Sequence, residues 1–170
     1  MAISPISLAF EKSKKAKRPA LLTYTVAGYN SKKKSLEILN SISKHVDICE
    51  IGFPHNTPIG DGGDIQTSSY RAIKNGIKMN DIFQMVKSYK KNKFSKPVIL
   101  MGYYNMIYQY KENNFLNKCK KSGVDGLIVV DLPWPENKVF ANKCKKKNIS
   151  FIQLLSPTTS KIRLKKIVKD

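Results

Sequence analysis

The chain has 170 residues, of which 41% are hydrophobic and 25% are charged, a composition typical of a globular protein. No apolar run approaches the roughly 18 to 20 residues of a membrane span. Residues 1–10 also lack the basic segment and the cleavage signal of a secreted protein. These features predict a cytoplasmic protein that is not inserted in a membrane.

The net charge of +19 comes from 31 Lys and Arg residues against 12 Asp and Glu residues. Such a charge is compatible with nucleic-acid binding, because polyanions bind basic proteins through counterion release. Nearly all of these cations are lysines, however, and lysine is a poorer bidentate reader of bases and phosphates than arginine. The lysines also recur on the polar face of every predicted helix. We therefore predict no nucleic-acid partner, with lysine-driven binding as the least favoured alternative.

The cysteines and histidines give no sign of a disulfide framework or a metal site. Cys49, Cys119 and Cys144 are odd in number, have no CxxC spacing and lie in apolar segments, which predicts buried, reduced thiols. His45 and His55 have no companions at the spacing of metal ligands. We therefore predict no bound metal.

The first predicted elements are a short helix, a buried strand and an amphipathic helix. Residues 4–17 combine apolar positions with a basic run, and this helix could cover the bottom of a barrel. Residues 20–27 read ALLTYTVA, a continuous apolar and β-branched strand that Gly28 closes. Ser31 follows as a candidate N-cap. The apolar face of the second helix is predicted to contain Leu36, Leu39, Ile42 and Val46.

The next stretch, residues 47–66, reads DICEIGFPHNTPIGDGGDIQ and carries acids in two unusual places. Glu50 lies within an apolar strand, where burial of a carboxylate costs free energy and therefore suggests a specific role. A loop rich in glycine and proline follows, and it contains the second acid, Asp61. Acids on a strand end and on the following loop can face one small-molecule pocket, as general acid/base chemistry requires. The structural alternative is that Glu50 is ion-paired in the interior and Asp61 caps a turn.

The segment EIGFPHNTPIGDGGDIQ resembles the signature of the tryptophan synthase alpha chain family, and the similarity continues through TSSYRAIKNGI. In that family a strand-terminal Glu and an Asp of the following loop are the catalytic pair, and they correspond to Glu50 and Asp61. The chain departs from the family pattern at two loop positions. Thr57 stands where the family commonly has Asp before a proline, and Gly63 stands where a proline often follows Asp-Gly.

The remaining chain alternates helices and strands. Helices are predicted at residues 64–75, from Asn80-Asp81 onward, at 114–122, at 135–147 and from Ser160. Strands are predicted at residues 97–101, 124–133 and 150–155. Buried helix positions are predicted to be Ile82, Phe83, Val86, Tyr89, Phe115, Leu116 and Cys119.

Three further site residues follow from the resemblance. LLTYTVAGYN is similar to the family's opening strand, so Tyr24 is expected to line the indole pocket, and GYYNMIYQY places Tyr103 beside the same pocket. For the other tyrosines of that segment, 104, 108 and 110, we favour simple packing. VDGLIVVDLP resembles the family's fourth strand, so Asp131 is expected to organise the site and to signal to a partner subunit. Its structural alternative is a carboxylate that caps the next helix.

Five strands, each followed by a helix, predict a parallel α/β architecture. The resemblance favours an eightfold (β/α)8 TIM barrel over an open doubly wound sheet, and no GxGxxG or GxxxxGK[ST] motif is present. A complete barrel usually needs about 250 residues. We therefore expect residues 1–170 to form a single partial barrel domain of about five units, the N-terminal two-thirds of the family's chain. In the family, the substrate phosphate is held in the remaining third.

The resemblance implies a lyase of tryptophan biosynthesis that cleaves indole-3-glycerol phosphate to indole and glyceraldehyde 3-phosphate without a cofactor. It also implies a partner, the pyridoxal phosphate-dependent beta chain, in an alpha-beta-beta-alpha heterotetramer. Residues 55–58 would then lie near the contact with that partner. The alternative from another class is a catalytically silent barrel fragment or binding module.

Overall fold

A computed structural model describes residues 3–169, in which helices and parallel strands alternate. The elements in chain order are α1 (Pro5–Lys15), β1 (Leu22–Val26), α2 (Lys32–Ile42), β2 (Ile48–Gly52), α3 (Gly63–Lys74), α4 (Met79–Tyr89), β3 (Val98–Gly102), α5 (Tyr104–Tyr110), α6 (Glu112–Ser122), β4 (Gly126–Val129), α7 (Lys138–Lys146), β5 (Ser150–Phe151) and α8 (Lys161–Lys169). None of these helices is long and apolar enough to cross a membrane.

The strands form one sheet in the order β1-β2-β3-β4-β5, and all neighbours are parallel. Each strand pairs with the next strand along the chain. An open doubly wound sheet would instead reverse its strand order at a switch point. The observed order is that of a β/α barrel, and five strands are part of its circumference. The predicted fold class is therefore confirmed.

One face of the sheet is the interior face of the partial barrel. Tyr24, Glu50, Ile99 and Gly126 are successive partners across β1 to β4, so they lie on the same side of the sheet. Ile48 and Ile128, one step along the same face, join Ile99 in a small buried cluster. This interior face thus carries a cluster of isoleucines, and Glu50 lies on it beside Ile99 and one interior position after Ile48.

Helix α1 closes the bottom of this interior, as the sequence predicts. Ser4 caps the helix by accepting a hydrogen bond from the Ser7 N–H at 3.1 Å. Ile6 and Ala9 then pack against the isoleucine cluster. Gly126 allows this approach, because a Cβ atom at that position would lie 2.7 Å from Ile6 Cδ1.

The other face of the sheet carries the larger core, which helices α2 to α7 cover. The predicted buried positions of α4 and α6 are confirmed, since Tyr89, Val86, Phe115 and Cys119 are all fully buried. The three cysteines are buried and free, also as predicted. Arg18 donates two 2.7 Å hydrogen bonds to Asp47, the residue that precedes β2.

Several element boundaries differ from the predictions. β4 ends at Val129, and only two residues of β5 find partners on it, so both strands are shorter than predicted. Helix α5 was not predicted, because tyrosines dominate its sequence and tyrosine favours neither helix nor loop strongly. Tyr104 and Tyr110 pack against the core as predicted, but Tyr108 is 63% exposed. It lies on the outward side of α5, so the packing predicted for it is wrong.

Candidate active site

Glu50 projects from the middle of β2 into the barrel interior. Its neighbours across the sheet are Tyr24 on β1 and Ile99 on β3. The side chain is half-buried, and burial raises the pKa of its carboxyl group above the ordinary value. Within residues 3–169, no lysine or arginine forms an ion pair with it. The structure therefore does not contain the ion pair of the structural alternative.

Tyr24 lies across the upper end of β2. A Cβ atom at Gly52 would collide with the Tyr24 hydroxyl, so the absence of a side chain there allows the ring to cross the strand. The pKa of Tyr24 is raised by burial and then by the charges of Asp61, Tyr103 and Glu50. Three of the other four predicted site residues, Asp61, Tyr103 and Glu50, are thus close enough to Tyr24 for their charges to affect it, and Asp131 is not among them.

Asp61 approaches Tyr24 from the loop between β2 and α3. Its Oδ2 accepts a hydrogen bond from the Tyr103 hydroxyl at 3.2 Å, and the same hydroxyl accepts one from the Gly60 N–H at 2.9 Å. The Asp61 carbonyl oxygen accepts from the Gln66 side chain at 2.8 Å, which ties the loop to the first turn of α3. The Asp61 carboxylate thus contacts a side chain of the neighbouring strand end, a contact that the turn cap of the structural alternative does not include.

Asp131 lies two residues after the end of β4 and is exposed. Its Oδ1 accepts a hydrogen bond from the Tyr104 N–H at 2.7 Å, at the first residue of α5. The sequence alternative, in which it caps the next helix, is wrong, because α7 begins after Asn137 without a side-chain cap. Asp131 instead holds the segment that carries Tyr103, and its charge contributes to the raised pKa of Tyr103, although burial contributes more.

Two features of the site have no clear signal in the sequence. The His55 ring lies 5.1 Å from the Tyr103 ring, centroid to centroid, and its Nδ1 accepts a hydrogen bond from the Thr57 N–H at 3.0 Å. Glu112 on α6 binds both the Tyr104 hydroxyl and Lys143, so it links α5, α6 and α7 behind the site. Burial and Glu112 raise the pKa of Tyr104 to about 12.

A cavity of about 290 Å³ lies beside the loop between β2 and α3. Its walls are partly apolar, from Phe53, Ile77 and Met79, and partly polar, from His55 and Asn105. It lies on the outer side of the loop that carries Asp61. No group of three or more His, Cys, Asp or Glu residues in the described part of the chain is arranged to hold a metal ion.

This arrangement provides two carboxylates of different character around one space. Glu50 favours the protonated form more than an exposed glutamate does, because its ionised form is poorly solvated. The Asp61 carboxylate accepts a hydrogen bond from the Tyr103 hydroxyl, and the partly exposed ring of Tyr24 lies across the upper end of β2. Such a pair can carry out general acid/base chemistry on a flat, uncharged ring.

Comparison with known proteins identifies the family. Residues 10–170 match the family model described as tryptophan synthase alpha chain. The chain belongs to the tryptophan synthase alpha chain family. A tryptophan synthase alpha chain from Pelagibacter ubique is 74% identical over 168 residues, which are 99% of this chain and 63% of the relative. The chain therefore spans less than two thirds of that curated relative.

Solved structures of the tryptophan synthase alpha chain family share the fold. The alpha subunit from Legionella pneumophila is 34% identical with a TM-score of 0.89, over 98% of this chain and 64% of that chain. A structure of the a2b2 complex from Pyrococcus furiosus is 39% identical with a TM-score of 0.84, over 88% of this chain and 64% of that chain. Both likenesses extend across the partial barrel described above.

Proposed function

We propose that this tryptophan synthase alpha chain cleaves indole-3-glycerol phosphate to indole and glyceraldehyde 3-phosphate, a lyase step of tryptophan biosynthesis. Membership of the family supports the proposal. The observation that carries it is that Glu50 is paired with Tyr24 on the interior face of the sheet while Asp61, hydrogen-bonded to Tyr103, lies on the loop that follows β2. Two carboxyl groups near an aromatic side chain are suited to proton transfer on a flat aromatic ring.

The cleavage is a retro-aldol reaction with two proton transfers at the scissile bond. Indole C3 must gain a proton, and the hydroxyl on the carbon attached to C3 must lose one as that carbon becomes an aldehyde. We propose that Glu50 performs both transfers. The raised pKa of Glu50 supports this role, because burial favours the protonated carboxyl group, which can donate one proton and then accept another.

Asp61 is proposed to act at the other side of the ring. When C3 is protonated, the ring becomes an indolenine and its N–H becomes acidic. The Asp61 carboxylate would accept a hydrogen bond from this ring N–H and so stabilise the positive charge that develops on the ring. Any proton that it takes up would go back to the ring nitrogen when indole forms. The ring of Tyr24 would border the flat substrate. Tyr103, for which the resemblance implies the same role, is only 6% exposed and lies against His55. Asp131 would organise the site through α5, to which it is hydrogen-bonded.

A beta chain is the proposed partner of this subunit. The Pyrococcus furiosus relative is part of an a2b2 complex, and its structure concerns mutual activation within that complex. In this chain the loop between β2 and α3 offers an apolar contact, because Ile59 is 84% exposed. The adjoining cavity includes His55 and Asn56. We propose that residues 55–58 lie near the partner, and that residues 1–170 form one partial barrel domain.

The test is to replace each acid in a full-length alpha chain that carries these 170 residues. Glu50→Gln and Asp61→Asn should each reduce indole formation by about 10²- to 10⁴-fold, the usual contribution of a general acid or base. Far-ultraviolet circular dichroism should remain that of the parent. Glu136→Gln, at an exposed glutamate outside the site, is the matched control. Turnover at the parent rate in Glu50→Gln would reject the assignment, and an inactive parent would favour the silent alternative.

A further inference from the structure

Tyr103 is buried where β3 ends, and little of its surface is available to a ligand. Only 6% of the residue is exposed, whereas Tyr24 is partly exposed to the same space. The Tyr103 side chain is instead occupied by contacts within the protein. Its ring lies beside His55, and its hydroxyl lies against Gly60 and Asp61. These contacts all belong to the loop between β2 and α3.

The hydroxyl of Tyr103 connects two neighbouring residues of that loop. It accepts the Gly60 N–H at 2.9 Å and donates to Asp61 Oδ2 at 3.2 Å, so both its acceptor and its donor capacity are used. Apart from Glu50, Asp61 is the only acid for which we propose a chemical role, and it lies on a loop rich in Gly and Pro. A carboxylate on such a loop keeps one orientation only if residues outside the loop bind it.

The fit between the loop and Tyr103 is close. A Cβ atom at Gly60 would lie 3.1 Å from both the Tyr103 hydroxyl oxygen and Val130 Cγ1, so the loop backbone is seated directly on these two side chains. The start of the loop is held as well, because His55 packs beside the Tyr103 ring and accepts the Thr57 N–H. Tyr103 therefore contacts the loop near its beginning and near its end.

We propose that Tyr103 is a positioning residue, whose hydroxyl orients Asp61 toward Tyr24 and Glu50 by binding Gly60 N–H and Asp61 Oδ2 together. This inference rests on the proposed function, because it assigns Tyr103 a role through Asp61 in the same reaction. The positioning role differs from the role that the resemblance implies, in which the Tyr103 ring borders the substrate. A wall acts on substrate affinity, whereas a positioning hydroxyl acts on the rate of the chemical step.

The decisive variant is Tyr103→Phe, which keeps the ring and removes only the hydroxyl. In a full-length alpha chain that carries these residues, we expect kcat to fall about 10- to 100-fold, the effect of misplacing a reacting group. We expect KM to stay within about threefold, because the aromatic surface is unchanged. Tyr108→Phe is the matched control, since Tyr108 is an exposed tyrosine on α5 and should retain the parent kcat and KM.

A second measurement does not depend on activity. The Gly60 amide donates to Tyr103, so hydrogen exchange at this amide should be about 3- to 10-fold faster in Tyr103→Phe than in the parent. Amides in the interior strand β3 should exchange at the parent rate, which separates a local release of the loop from a general loss of stability.

The results distinguish failure of this inference from failure of the proposed function. A Tyr103→Phe variant with higher KM and unchanged kcat would make Tyr103 a substrate wall and overturn the positioning role. The positioning role would also be overturned if Tyr103→Phe kept both the parent kcat and the parent rate of hydrogen exchange at the Gly60 amide. In either case an inactive Asp61→Asn would leave the proposed function intact. Turnover at the parent rate by Asp61→Asn would reject that function itself.

Discussion

Glu50 owes its proposed chemistry to its position on the interior face of β2. Ile48 precedes it on the same face and is fully buried, and Ile99 is its neighbour on β3. Such surroundings solvate a carboxylate poorly, and no cation compensates, so the pKa is raised by burial alone. A protein keeps such an unfavourable group at a cost in stability, which is typical of functional sites.

The pH dependence of stability provides a test at this scale. Because folding raises the pKa of Glu50, the folded state holds this proton more tightly than the unfolded state, whose pKa is about 4.3. Below that pH both states are protonated and stability is unaffected. As pH rises through the unfolded pKa toward the folded one, the ionised carboxylate increasingly favours unfolding. Glu50→Gln should therefore raise Tm at about pH 7.5, and the gain should shrink toward pH 4.

The measurement is thermal unfolding, followed by circular dichroism, of a full-length alpha chain that carries these residues. Glu136→Gln serves as the control, because this exposed glutamate should give the parent Tm at both pH values. A Glu50→Gln variant with a lower Tm than the parent at about pH 7.5 would contradict the burial argument.

At the scale of elements, α1 covers the apolar interior face of the sheet and so buries it from water. Ile48, Ile99 and Ile128 on β2, β3 and β4 are apolar interior positions, and without a cover they would face water. Ile6 and Ala9 provide that cover, and Gly126 leaves the space that Ile6 fills. Burial of these surfaces stabilises the fold by roughly 25 cal/mol for each Å² of apolar area removed from water.

Truncation of Ile6 tests the role of α1. Ile6→Ala should lower the free energy of unfolding by about 2 kcal/mol, because it removes buried methylene and methyl groups and leaves a cavity among isoleucines. Leu8→Ala, on the same helix but 41% exposed, should change it by less than about 0.5 kcal/mol. Urea denaturation measures both values. Equal losses in the two variants would mean that α1 does not pack as described.

At the scale of the whole molecule, the five strands leave two sheet edges. Among the described residues, β1 pairs only with β2, and β5 pairs only with β4. Unpaired strand edges and an open apolar interior favour association with other chains. The charge of +19 opposes such association through repulsion, and salt weakens this repulsion.

Comparison of the 170-residue chain with a full-length alpha chain tests the effect of these edges. We expect the 170-residue chain to bind a hydrophobic dye more strongly and to self-associate as its concentration and the salt concentration rise. Dye fluorescence and light scattering provide the readouts, with the full-length chain at equal concentration as the control. A monomeric 170-residue chain with dye fluorescence as low as the control would show that its exposed edges are harmless.

Much of this architecture was readable from the sequence because its signals are local. Apolar runs mark the strands, glycines at 28, 76 and 123 adopt positive φ where elements end, and Ser4 and Ser31 cap the helices that they precede. The strand and loop pattern singled out Glu50 and Asp61, and the resemblance to a known family added Tyr24, Tyr103 and Asp131 as candidate site residues. None of these inferences required knowledge of contacts between distant residues.

The tertiary structure decided which side chains hold the site together. Tyr103 meets Asp61 across 42 residues of chain, and Asp131 meets Tyr104 across 27. Neither pair has a periodicity or a spacing that would reveal it. Hydrogen bonds between side chains and loops depend on direction and on distances of a few tenths of an ångström. Those quantities are set only when β2, β3 and β4 lie side by side and bring the ends of their loops together.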